Sequence, residues 1–246
     1  MSQVASTEAL SAFQKNCFNI KEHLKNYLQI DEDVLEQKLS TGTQEIGDLG
    51  RASFDWQSAD DFYRNEVEYL YLFDLANWHL VCREYIRDTI KLLSDNAREI
   101  VLDFGGGIGT HTLAAALCPE VSSVVYCDIN PINRDFVSYR ATQMGLRDKI
   151  KIVEQIPEEM NFDTIMSFDV LEHLYDPGAQ ILKFHEILKE DGKAVLNWCF
   201  FKGFNQEHPF HLDDPQKIEA FFRLLQSNFV EVFHPYFITA RCYRKW

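Results

Sequence analysis

The chain has 246 residues, a formal net charge of -14 and a pI near 5.0, and is 46% hydrophobic and 25% charged. That suits one globular domain, or one domain with a helical extension. The acidic balance argues against a nucleic-acid partner, which asks for a basic face, and favours a small or cationic substrate.

Six cysteines, Cys17, Cys82, Cys118, Cys127, Cys199 and Cys242, are scattered mostly through apolar runs without a CxxC pair. Reduced thiols used as small core residues have this distribution, so neither a disulfide framework nor a zinc site is expected. Residues 1–16 lack a charged segment followed by an apolar core, and no apolar run reaches membrane length. A cytoplasmic protein with no membrane partner is expected.

Residues 1–40 read as helix, because Leu10, Phe13, Cys17, Ile20, Leu24 and Leu28 recur at steps of three and four. Asp31 is placed to cap a short second helix carrying Val34, Leu35 and Leu39. Between Ser40 and Trp56, Gly42, Gly47, Asp48 and Gly50 are turn-prone and the apolar period is lost, which reads as a loop. A second helical block opens at Ser58, with Asp61 three residues on as in a weakened capping box, and breaks near Asn77. Its aromatics exceed the needs of one buried stripe.

From Arg98 the pattern alternates between strand and helix, the mark of βαβ units and a mostly parallel sheet. Strands are expected near 99–104, 122–128, 149–154, 162–168, 192–200, 228–234 and 236–243, and helices near 109–117, 131–145, 176–190 and 214–226. The last two strands flank Pro235 too closely for a crossover helix, so they should form an antiparallel hairpin. The fold class that follows is α/β: a doubly wound, Rossmann-like seven-stranded sheet with an antiparallel last strand. Residues 1–97 form a helical N-terminal extension to a domain spanning 98–246.

The stretch from Val101 to Thr112 joins a buried strand, three closely spaced glycines and a helix N-terminus, where backbone can touch a ligand. Gly105, Gly107 and Gly109 give GxGxG, whereas a dinucleotide fingerprint needs GxGxxG. Asp103, two residues before the first glycine, would repel a phosphate and could bind an amino group.

The run VLDFGGGIG resembles the first motif of class I S-adenosylmethionine-dependent methyltransferases. Val124 to Asn130 is similar to that family's second strand, which ends in an acid for the ribose hydroxyls. Phe162 to Leu174 is similar to its fourth-strand segment, in the DVLEHL form found among small-molecule members such as quinone-biosynthesis enzymes. The resemblance implies S-adenosylmethionine as cofactor. It implies that Gly105 and Gly107 border the methionine portion, that Asp103 meets the ammonium through water and that Asp128 holds the ribose. Ile129 then flanks adenine or ribose, Gln155 and Ile156 follow the third strand where adenine contacts fall, and Phe168 and Asp169 line the boundary between cofactor and substrate. Many members place an N-terminal helical segment over the cleft. By that analogy residues 1–97 are a cap or lid, and Tyr63, Tyr71 and Trp78 are substrate-pocket walls.

For acid–base work the sequence offers His211 first, His208 second and His173 third, a neutral imidazole being able to take a proton from a phenol, amine or acidic carbon. The resemblance implies that Glu172 and His173 chiefly pack and hydrogen-bond locally while the next helix starts, with direct catalysis by His173 the lesser reading. The HxxH spacing of His208 and His211 beside Asp213 and Asp214 lacks a specific ligand pattern, so no metal is expected. The expected reaction is in-line methyl transfer to a small molecule. Non-methylating use of the same cofactor, by cyclisation or elimination, and an inactive cofactor-binding relative are the alternatives. Oligomeric state is open between monomer and homodimer.

Overall fold

The computed structural model describes residues 3–236 and 238–246. Residues 1 and 2 of the expected first helix, and residue 237 of the expected last strand, lie outside them.

The N-terminal half is helical: α1 (Gln3–Lys15), α2 (Ile20–Leu28), α3 (Glu32–Ser53), the single turn α4 (Ala59–Asp61) passing into a π-type turn at Phe62–Glu66, α5 (Leu70–Val81) and α6 (Arg83–Asn96). The continuous helix expected over 1–40 is broken at residues 17–19, where Cys17, Phe18 and Asn19 all have positive φ. Asp31 caps α3 as expected, its carboxylate accepting from Val34 N–H at 2.9 Å.

The expected loop from Ser40 to Trp56 is helix as far as Ser53. Its glycines thin one helix face so that other chain segments can lie against it. A Cβ on Gly42 would stand 3.0 Å from Phe73 Cβ, and one on Gly50 would stand 2.8 Å from Pro209 Cγ and 2.9 Å from Phe210 Cδ1. Close packing, rather than turn chemistry, accounts for these residues. The break expected near Asn77 falls at Cys82 instead, between α5 and α6. Ser58 makes no capping bond, and it is Asp55 that accepts from Gln57 N–H.

The rest of the chain alternates β1 (Glu99–Phe104), α7 (Thr110–Leu117), β2 (Val121–Cys127), α8 (Pro131–Gln143), β3 (Ile150–Val153), β4 (Phe162–Ser167), α9 (Pro177–Ile187), β5 (Leu188–Leu196), α10 (Pro215–Asn228), β6 (Phe229–Val232) and β7 (Arg241–Lys245). The sheet order is β3-β2-β1-β4-β5-β7-β6, parallel except that β7 runs antiparallel to both β5 and β6. The Rossmann-like, seven-stranded class and the reversed last strand are as expected.

Several boundaries differ, most of all around β5 and the last strand. α9 ends at Ile187 instead of 190, and β5 runs from Leu188 to Leu196 instead of 192–200, with its register against β4 shifting between Leu188 and Lys193, where Asp191 has φ 59°. The last strand starts at Arg241, five residues beyond the expected 236.

One side of the sheet packs against α7, α8 and the N-terminal helices in a core that includes Phe13, Leu24, Leu35, Ile90, Leu113 and Val124. α9 and α10 cover the other side through Phe184, Phe221 and Leu225. Arg140 of α8, 0% exposed, ties the N-terminal segment to the sheet domain. Its guanidinium donates to the carbonyls of Ile108 and Phe18 and to His23 Nδ1. Among the described residues, no helix is long and apolar enough to cross a membrane.

Candidate functional site

β1 lies between β2 and β4, so the strand order reverses at its carboxyl end, where doubly wound sheets leave a crevice. A cavity of about 590 Å³ opens there. One wall is the turn after β1. Gly105 has φ 69°, and a Cβ there would meet Val170 Cγ2 at 2.5 Å, so both the backbone conformation and the space require glycine.

Two carboxylates frame this turn. Asp128, at the end of β2, accepts from Gly107 N–H and Asn130 N–H, each at 2.8 Å. Asn133 Nδ2 also stands 3.5 Å from both of its oxygens. Asp103 accepts a hydrogen bond from the Thr112 hydroxyl on the first turn of α7. Burial raises Asp128 to about 6 and Asp103 to about 7, against the lowering effect of these hydrogen bonds. Both therefore favour a ligand that brings hydroxyl donors or a positive charge.

The cavity is bordered by every residue assigned to the cofactor from the sequence: Asp103, Gly105, Gly107, Asp128, Ile129, Gln155, Ile156, Phe168 and Asp169. Tyr63, Tyr71 and Trp78 close it from the helical side. Trp78 Nε1 donates to Asp169 Oδ2 at 3.3 Å, and Asn197 holds Asp169 through a side-chain bond of 2.8 Å to Oδ1. Asp169 has φ 55°, and burial raises its pKa.

Sequence reasoning misses His111, which borders the cavity and stacks on Phe168 with ring centroids 4.1 Å apart. Its place on the first turn of α7, just past the glycines, is the available signal. It also misses Trp56 and Tyr175, which meet at 6.2 Å across the mouth. Trp56 reads only as the edge of a loop, and nothing in the local pattern marks Tyr175.

The three histidines do not share one position. His173 borders the cavity, and its Nδ1 lies 2.9 Å from the Tyr63 hydroxyl. His211, the first choice for a base, is 6% exposed and sits behind His173 rather than among the cavity-lining residues. Its loop folds inward because Leu212 N–H donates to the Glu172 carbonyl at 2.7 Å. His208 stacks on His211 at 4.7 Å, one layer further out. Neither His208 nor His211 lines the cavity.

Burial and the neighbouring histidines push His173 well below the usual imidazole range, and burial with His208 lowers His211 to about 4 despite the Phe201 and Cys199 carbonyls beside it. Glu172 is 1% exposed, and burial followed by the Asp169 charge raises it to about 8. One donor atom from each of Glu172, His173 and His211 lies within 4.8 Å of the other two.

Residues 78–227 match the family described as "Methyltransferase domain". A tRNA U34 carboxymethyltransferase from Photobacterium profundum is 28% identical over 109 residues, which is 42% of this chain and only 33% of that protein's length. Two solved structures share the fold. An O-methyltransferase family protein from Burkholderia thailandensis aligns with a TM-score of 0.52 at 15% identity, over 75% of this chain and 63% of its own. The geranyl diphosphate C-methyltransferase from Streptomyces coelicolor A3(2), solved with Mg2+, geranyl diphosphate and S-adenosyl-L-homocysteine, aligns with a TM-score of 0.52 at 14% identity, over 69% of this chain and 68% of its own. The family match takes in well over half of the sequence, from the end of α5 through α10, and includes both carboxylates and the glycine turn; the chain belongs to the methyltransferase-domain family.

Proposed function

We propose that this protein transfers the sulfonium methyl group of S-adenosylmethionine to a small molecule. The observation that carries the reading is the pairing of Asp128 and Asp103 about a glycine turn on one wall of the cavity. Asp128 accepts the two ribose hydroxyls, and the bare backbone at Gly105 and Gly107 leaves room for the methionine chain. Asp103 attracts the ammonium through water. Ile129, Gln155 and Ile156 flank the adenine.

Transfer is an in-line displacement in which the carbon–sulfur bond breaks as the acceptor takes the methyl and a neutral thioether leaves. The protein contributes alignment and exclusion of water. The stretch from Trp56 to Trp78 acts as the cap, with Tyr63, Tyr71 and Trp78 shaping the acceptor space beyond Phe168 and Asp169. An N–H or O–H acceptor gives up a proton, and Asp169 and His173 are the titratable groups placed beside that space. A cavity covered in this way suits a small molecule better than a folded macromolecule.

Calorimetric titration with S-adenosylmethionine and S-adenosylhomocysteine tests the reading. Micromolar binding by the wild type, weakened about 100-fold in Asp128→Ala as two charge-assisted hydrogen bonds are lost, is the expected result. Absence of binding by folded wild-type protein would overturn it.

A further inference from the structure

One buried polar cluster is not used by cofactor binding. Glu172 and His173 come from the single 3-10 turn after β4, and His211 from the loop after β5. Each side chain is tethered to surrounding protein through one atom, and Glu172 also has an oxygen left over. Cys199 N–H donates to Glu172 Oε1 at 2.9 Å, while Glu172 Oε2 is buried without a hydrogen-bond partner. His211 Nδ1 lies 2.9 Å from the Phe201 carbonyl, and His173 Nδ1 lies 2.9 Å from the Tyr63 hydroxyl.

A carbonyl only accepts, so His211 carries its hydrogen on Nδ1 and its lone pair on Nε2. The Tyr63 hydroxyl can accept as well, which permits the same tautomer at His173. Imidazoles anchored through Nδ1, next to a carboxylate with one tethered and one orphaned oxygen, form the supporting shell that orients metal ligands. A partnerless buried carboxylate oxygen is otherwise unfavourable. The donors stand within 4.8 Å of one another, so small side-chain movements would bring them onto a single ion.

We propose that Glu172, His173 and His211 bind one divalent ion of the first transition series. One carboxylate and two imidazoles suit zinc, cobalt or manganese, whereas magnesium and calcium ask for oxygen ligands. Three protein ligands leave a position for an exogenous one. The HxxH loop, unspecific by itself, gains its partners from the Glu172-His173 pair.

The consequence for catalysis rests on the methyl-transfer reading. His173 borders the cavity, so an ion held by it stands beside the acceptor space. A hydroxyl oxygen on the ion loses its proton more readily. That proton passes to Asp169 or to water, and the oxygen forms its bond to the methyl carbon as the carbon–sulfur bond breaks. The substrate class is then a hydroxyl-bearing small molecule.

The test is titration of chelator-stripped full-length protein with Mn2+, Co2+ and Zn2+ by calorimetry, together with the visible spectrum of the Co2+ form. One ion per chain, ligand-field bands in the Co2+ spectrum and at least about a tenfold loss of affinity in Glu172→Gln and His211→Gln are expected. Circular dichroism verifies that the variants fold. Should they not, Tyr63→Phe decides, since it keeps the ring and removes only the bond to His173. A weaker affinity and a shifted Co2+ spectrum in this variant support the site, and no change in either overturns it.

Folded wild type that takes up none of the three ions overturns the proposal and leaves a hydrogen-bonded cluster only. Uptake unchanged in both Glu172→Gln and His211→Gln overturns it too, because the ion is then elsewhere. S-adenosylhomocysteine binding is measured on the same samples. Its loss with metal uptake intact overturns the methyl-transfer reading alone, and the converse overturns the metal site alone.

Discussion

Replacing Arg140 with methionine tests whether the N-terminal helices are fastened to the sheet domain by polar contacts in addition to apolar packing. Methionine keeps much of the apolar stem and removes every donor. The carbonyls of Phe18 and Ile108 lose their guanidinium partner, and so does His23 Nδ1, which accepts at 3.2 Å because burial and Arg140 hold that imidazole down to about 4. A buried acceptor left unpaired costs about 1–3 kcal/mol, and the two carbonyls alone give roughly 2–6 kcal/mol. Relief from burying the guanidinium offsets part of this. The expected net loss is about 2–4 kcal/mol, because the partners left behind are polar and have no water to turn to.

Urea unfolding followed by tryptophan fluorescence and circular dichroism would read the loss as a lower midpoint at an unchanged slope. Hydrogen exchange should show α2 opening at lower free energy than the sheet. A change within about 0.5 kcal/mol, or a gain, would mean that the guanidinium's bonds add little to packing, as in proteins where buried ionic groups are replaced without loss.

Asp103→Asn separates an electrostatic cost from a structural one. The folded carboxyl titrates at about 7, above its ordinary value of 3.8, so its contribution to stability is present below about pH 4 and is lost as pH rises through about 7. Melting curves of the ligand-free variant and wild type should coincide near pH 4 and separate in the variant's favour up to about pH 7; parallel curves would contradict the burial argument. Gly50→Ala should lower stability by about 1–3 kcal/mol, since its Cβ would overlap Pro209 and Phe210, and an unchanged melting temperature would count against the close-packing account of α3. Trp56 and Trp78 border the cavity while Trp198 packs on Phe221. Quenching of tryptophan emission by S-adenosylhomocysteine should therefore diminish in Trp78→Phe, and equal quenching would place the ligand elsewhere.

The sheet domain is legible in the sequence because strand, glycine turn and helix follow each other with local periodicity, and each βα unit carries its own punctuation. Asp128 can be read as a ligand because it ends a strand at a fixed topological position. The helical half is less legible. Gly42 and Gly50 look like turn formers until Phe73 and Phe210 are placed against them, and these neighbours lie about 30 and 160 residues away along the chain. The histidines show the same limit. His208 and His211 suggest a pair along the loop, and their rings do stack, yet His211 also meets Glu172 and His173, a relation created only when the loop after β5 folds back. Local pattern reports which face of an element is apolar and says little about what that face meets.

The anchor formed by Phe18 and Arg140 spans 122 residues of sequence, which bears on the order of assembly. The helices made first find their resting place only after α8 has been synthesised and has docked on the nascent β1 and β2. Until then Phe13, Phe18 and Leu24 have no complete surface to bury against. At a synthesis rate of about 5–20 residues per second, that interval lasts on the order of ten seconds. The early segment must avoid association with other chains throughout it, and closing so long a loop makes its docking a late, non-local event.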